Sequence, residues 1–125
     1  MKIKEIKEEG IVFDNGYILE YYHEQDCCEN VYADFEMLKE YNVSTVTGKS
    51  IKIKEIDFEE SLIHLVQGVK EVGFNMISKI GEKFFVPCYN SQNGYYSGNL
   101  ELILYKENNV KEKLDISEFV KDEIY

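Results

Sequence analysis

The sequence predicts an α+β fold: one domain over residues 1–125, with a mainly antiparallel sheet and two or three short helices. Three observations predict it. Runs such as Ile51–Ile56, Phe74–Ile80 and Leu100–Tyr105 alternate apolar and polar residues with the period of a half-buried strand. Turn formers separate such runs, as in Asn15-Gly16, Gly81-Glu82-Lys83 and Asn108-Asn109. Between the strand-like runs lie stretches with apolar residues at helical spacing, some opened by an acidic cap. A chain of 125 residues, 44% of them apolar, supports one modest core and is too short for two.

Met1 to Glu8 reads as a short extended edge segment, its lysines discouraging unwanted strand pairing. Gly10–Asp14 and Tyr17–His23 form a hairpin around Asn15-Gly16, a pair suited to the positive φ of a type I′ turn. Asp26-Cys27-Cys28-Glu29 has the form of a capping box, with Asp26 as N-cap and Glu29 at N3. After it, Val31, Phe35 and Leu38 fall on one helical face, which predicts a helix from Asp34 to Tyr41 closed by Asn42; Val31-Tyr32 alone also suits a short strand. Val43–Val46 is short and β-branched, and Ile51–Ile56 begins as a strand. Glu59–Val72 reads as a helix with Gly68 as its weak point, an irregular strand being the alternative. Phe74–Ile80 and Phe84–Tyr89 form a second hairpin, and Pro87 predicts an edge or a bulge there. Leu100–Tyr105 is a further strand, and Asp115-x-x-Glu118 opens a last short helix to Ile124.

Charge bounds the function. Asp and Glu number 24 against 14 basic residues, all of them lysine, for a net charge of −10 and a pI near 4.7. Such a chain repels nucleic acid and anionic membrane, so neither is expected as a direct partner. No apolar run approaches the ~20 residues of a membrane span, and the amino terminus lacks a secretory signal. Three cysteines, two of them adjacent, read as free thiols in a reducing compartment, which places the protein in the cytoplasm.

Two clusters carry chemistry. The first is His23-Glu24-Gln25-Asp26-Cys27-Cys28-Glu29, which brings imidazole, thiols and carboxylates together. That is a ligand set for zinc or iron, but its spacing is poor, and Cys88 or His64 would have to complete a site from afar. A cysteine nucleophile with His23 as base is the other chemical reading, although the neighbouring acids raise the thiol pKa. The structural reading is a strand-to-helix junction capped by Asp26. The second cluster is Asn93-Gly94-Tyr95-Tyr96-Ser97, where two tyrosines in a glycine-bracketed loop offer stacking faces, or else cover the sheet. Thr47-Gly48-Lys49-Ser50 imitates the end of a phosphate loop, but Val43 stands where that loop needs glycine. His64, on an apolar helix face, reads as a partly buried structural histidine. The absence of arginine removes bidentate anion recognition.

The strings Phe13-Asp14-Asn15-Gly16, His23-x-Gln25-Asp26-Cys27-Cys28-Glu29-x-Val31-Tyr32-Ala33-Asp34-Phe35 and Asn93-Gly94-Tyr95-Tyr96-Ser97 resemble an uncharacterised family of small phage and bacterial proteins, a domain of unknown function. The resemblance implies a phage or prophage setting and marks the two clusters as the family's signature. It carries no activity.

These readings lead to a non-enzymatic protein that binds a small molecule or a host protein, without cofactor or metal. The expected site is His23, Asp26, Cys27, Cys28, Glu29 and Tyr32 from one stretch with Asn93, Tyr95 and Tyr96 from the other. Sequestering a host defence signal is the expected role. The alternatives are an acidic inhibitor that fills a basic groove on a host defence enzyme, and a metal- or thiol-dependent enzyme. Ile- and Tyr-rich faces leave a homodimer or higher oligomer open.

Overall fold

The structure is a computed structural model and describes residues 1–24, 30–44, 50–92 and 99–124. In chain order the elements are β1 (Ile3–Ile6), β2 (Gly10–Phe13), β3 (Ile18–Tyr22), β4 (Asn30–Ala33), a 3-10 turn at Phe35–Glu40, β5 (Asn42–Ser44) and β6 (Ser50–Lys52). There follow a 3-10 turn at Ile53–Glu55, α1 (Leu62–Leu65), β7 (Val66–Val69), β8 (Gly73–Ile77) and β9 (Lys83–Gln92). The described chain ends with β10 (Glu101–Lys106), β11 (Asn109–Asp115), a 3-10 turn at Ser117–Phe119 and β12 (Lys121–Ile124). This architecture is close to all-β and corrects the α+β expectation: among the described residues, the only α-helix has four residues.

Each helix expected from the sequence shrinks for a local reason. The Glu59–Val72 stretch is helical only at Leu62–Leu65; then Gln67 and Gly68 pair with Asn75 and Phe74. Gly68 is a seat for a ring. A Cβ there would stand 2.0 Å from Cζ of Phe119. In Asp34–Tyr41, Phe35 and Leu38 are buried three positions apart on a 3-10 turn, while Val31 belongs to β4. Asp115 caps no α-helix. Its Oδ1 accepts the Ser117 N–H at 2.9 Å and closes a single 3-10 turn before β12.

The first hairpin is present with a different turn. The Gly16 N–H donates to Phe13 O and the Phe13 N–H to Tyr17 O, with positive φ at Gly16 (90°) and not at Asn15. That is a three-residue loop ending in a left-handed glycine, in place of type I′. The Asn15 amide instead donates to Glu60 Oε1 at 2.8 Å.

Two sheets dominate. The first runs β1-β2-β3-β10-β11, antiparallel throughout. The second runs β12-β9-β8-β7, with β4 also on β9; β12 lies parallel to β9 and the other pairs are antiparallel. Pro87 sits inside β9, which is not an edge. The Asp34 N–H donates to Pro87 O while the Cys88 N–H donates to Val72 O on the other side. A residue's N and O face the same side of a strand, so the missing donor of Pro87 falls on the Asp34 side, just past the end of β4, where it costs one return bond and leaves the pairing with β8 intact.

One apolar cluster joins both sheets. Ile11, Leu19, Leu102 and Leu104 of the first meet Phe74, Met76, Phe84 and Val86 of the second. Edge-to-face rings link them, Phe13 to Phe58 (6.3 Å) and Phe58 to Phe84 (5.9 Å). Phe58 is also where the sheets are tied, since isolated bridges run Lys2 to Asp57 and Phe58 to Ser78. No helix among the described residues is long and apolar enough to cross a membrane.

Candidate functional site

Three stretches of chain pass between the sheets at the same end of the molecule: one from β11 to β12 through Ser117–Phe119, and two that carry the residues expected in the site. Of these two, the first leaves β3 after Tyr22 and enters β4 at Asn30; the second leaves β9 after Gln92 and enters β10 at Glu101. Register fixes both ends together. Tyr22 pairs with Glu101 in the first sheet and Asn30 with Ser91 in the second. His23 Nδ1 then donates to Asn99 O at 2.5 Å, which places the ring proton on Nδ1 and joins the root of one stretch to the root of the other. Asn99 is followed by a second clamp. The Leu100 N–H donates to Ser117 Oγ at 3.0 Å, and that hydroxyl donates to Asp115 Oδ1 at 2.6 Å. The Ser117 hydroxyl first, then the Ser117 N–H, both donating to Asp115 Oδ1, hold the Asp115 carboxyl below its ordinary pKa.

Of the residues expected in the site, His23 and Tyr32 are placed by the structure. Both stand at this end, His23 beside Asn99 and Tyr32 on β4 with its ring 5.5 Å from that of Tyr89 on β9. Asp26, Cys27, Cys28 and Glu29, with the capping box they form, lie outside the described residues. So do Asn93, Tyr95 and Tyr96, and so does the Thr47-Gly48-Lys49 turn.

The surface around the crossing is hollowed. A depression of about 390 Å³ is lined by Glu8, Tyr21, Asn30, Tyr32, Asp34 and Glu36, among others. A second hollow adjoins it, sharing Tyr21 and Asn30 and adding Tyr22, His23 and Val31. A third takes in Tyr22, Glu24, Asn99, Glu101, Asp115 and Ser117. The Tyr21 ring stacks on Phe35 with centroids 6.4 Å apart. Burial first, then the charges of Glu8 and Glu9, push its phenol above the ordinary tyrosine pKa. Glu8, Tyr21, Asp34 and Tyr89 were not among the residues expected in the site. A signal for the acidic ones exists in the sequence: no lysine stands between Lys7 and Lys39 or between Lys83 and Lys106.

The distant ligands that a metal reading requires are elsewhere. Cys88 is fully buried on β9, and burial pushes its thiol up to about 12, so it is a core residue with no thiolate to offer. His64 is exposed on α1, where a partly buried position was expected for it. It lines a hollow with Glu59, Ile77, Ser78, Lys79 and Gly81, and Ile77 pairs with Lys83 at the far end of β9 from Gln92. Among the described residues no group of three His, Cys, Asp or Glu is placed to hold a metal ion.

Fold and surface together define a two-sheet β protein with a hollowed, acid-rimmed crossing between its sheets. The chain belongs to the family described as domain of unknown function DUF7448, whose model matches residues 1–102. Neither a curated protein nor a solved structure matches it.

Proposed function

We propose that the protein binds a small molecule at the crossing between its sheets, without turnover. The observation that carries this reading is the joining of the two roots: Tyr22 opposite Glu101, Asn30 opposite Ser91, and His23 bonded to Asn99. Stretches some seventy positions apart thereby start and finish side by side, next to a hollow with aromatic and polar walls, which is how ligand pockets are commonly built. His23 and Tyr32 contribute from the first stretch. Asp26, Cys27, Cys28, Glu29, Asn93, Tyr95 and Tyr96 complete the proposed contact set. The finer role we infer is sequestration of a host defence signal in a phage or prophage setting, on the resemblance of the two signature strings. Native mass spectrometry of protein purified from its host tests the binding. The reading predicts a retained small ligand that a Tyr32→Ala variant loses. A clean apo mass, with no thermal shift across a panel of metabolites, contradicts it.

One observation favours a second reading, an acidic inhibitor seated in a basic groove of a host protein: the lysine-free runs flank this same crossing. It predicts a protein complex that weakens steeply as salt is raised. Salt-insensitive association, or none, removes it.

A further inference from the structure

The turn of the first hairpin holds a residue pair with chemistry of its own, at the opposite end of β3 from Tyr22 and the crossing. Asparagine followed by glycine can cyclise on itself. Glycine carries no Cβ, so its backbone nitrogen approaches the asparagine side chain without a steric barrier. In Asn15-Gly16 the step joins the Gly16 nitrogen to Cγ of Asn15 while the Cγ–Nδ2 bond breaks. The Gly16 amide proton leaves with Nδ2 as ammonia, and water opens the succinimide to aspartate or isoaspartate. No oxidant, reductant or cofactor enters.

Asn15 is half-buried and Gly16 exposed, so water reaches the pair. What stands in the way is a hydrogen bond on each reacting group. The Gly16 N–H, the nucleophile, donates to Phe13 O at 3.2 Å. Asn15 Oδ1 accepts the Tyr17 N–H at 3.2 Å, and Nδ2, the leaving group, donates to Glu60 Oε1 at 2.8 Å. The side chain is pinned at both polar atoms while the attacking nitrogen is engaged elsewhere. Glu60 is itself fixed: its backbone oxygen accepts from Lys111 Nζ, and that ammonium lies 5.0 Å from the centre of the Tyr17 ring.

We propose that Asn15 is a deamidation site guarded by the folded turn and by Glu60, and that its conversion releases the hairpin from Glu60. Aspartate lacks the donor that Glu60 accepts, and it sets two carboxylates where a 2.8 Å hydrogen bond stood. Isoaspartate adds a carbon to the backbone of a three-residue loop closed by Phe13 N–H on Tyr17 O. Either product loosens the join between the β2–β3 turn and the segment that enters α1 at Leu62. Because ammonia is lost, the change is one-way.

Incubation of the whole protein at mildly alkaline pH, followed by peptide mapping that separates Asn15 from the other such pair in the sequence, Asn93-Gly94, tests this. Conversion at Asn15 is expected to be at least about tenfold slower in native buffer than in urea, a ratio set by opening of the turn. Glu60→Ala is expected to speed it in native buffer, whereas Glu60→Gln, which keeps an acceptor, is not. Conversion as fast in native buffer as in urea, or none in urea, overturns the proposal. So does a folded Glu60→Ala variant that converts at the parent's rate; should that variant fail to fold, the ratio between native buffer and urea still decides. The release is read from Asn15→Asp, whose thermal midpoint should fall and be largely restored by adding Glu60→Gln, a donor for the new carboxylate. An unchanged midpoint overturns the release.

Discussion

At the scale of single residues, Asp115 and Cys88 make opposite predictions about pH. Asp115 sits at the root of β10, where it accepts from Ser117 N–H and Oγ. Its pKa is lowered by those bonds. A carboxyl with a depressed folded pKa contributes stability above its unfolded pKa and loses it as pH falls through the folded value. An Asp115→Ala variant should therefore be less stable than the parent at neutral pH, by no more than about 0.5 kcal/mol because the carboxylate is exposed and its interactions are screened by solvent. The gap should close under acid, well below the ordinary carboxyl pKa of about 4. Denaturant midpoints at the two pH values check this, and a gap that persists in acid contradicts it. Cys88 is raised to about 12 by burial. The unfolded thiol ionises near about 8.5 while the folded one stays protonated, so its linkage lowers stability as pH rises between those values. Alkylation at Cys88, followed by peptide mapping, should proceed only at the rate of unfolding. Rapid labelling in native buffer contradicts its burial.

At the scale of elements, the β10–β11 hairpin stores strain. Its two loop residues, Glu107 and Asn108, have φ of 51° and 67°, and Lys106 pairs with Asn109. Glutamate is a poor occupant of a left-handed position, so replacing the pair by Asn-Gly should raise stability by about 1 kcal/mol, read from the thermal midpoint. A lower midpoint would count against the turn. Gly68→Ala should act in the other direction, by about 1–3 kcal/mol, because its Cβ would enter the Phe119 ring. A Phe119→Ala background, which removes that ring, should relieve much of the loss.

These elements also mark what could be read from the residues alone. The strand alternation at Phe74–Ile77 and Leu102–Tyr105 was legible because local period two survives in a half-buried sheet. The helices were not. Leu62, Leu65 and Val66 fit a helical face, but pairing of Gln67 and Gly68 with β8 is a long-range fact that local spacing does not contain. Asn108-Asn109 pointed to the right hairpin with the loop one residue too late. Of the residues at the candidate site, His23 and Tyr32 stand out in the sequence through their motif, whereas Glu8 and Tyr21 line the same hollow only because β2 lies beside β3 and β4 lies near.

At the scale of the whole molecule, the account depends on topology. The same two sheets that share one apolar cluster are linked three times at one end, by the passages from β3 to β4, from β9 to β10 and from β11 to β12. His23 at 2.5 Å from Asn99 O couples the β3–β4 and β9–β10 passages, and Glu8, Asp34 and Glu36 line the hollow beside them. The most direct measurement is an amide NMR titration of the full chain with whichever ligand the native mass spectrum retains. The account predicts that amides at Asn30–Asp34 and at Asn99–Glu101 shift together and saturate at one concentration, while those at Ile77–Gly81 stay still. Shifts confined to one passage, or centred on the His64 end, would contradict it.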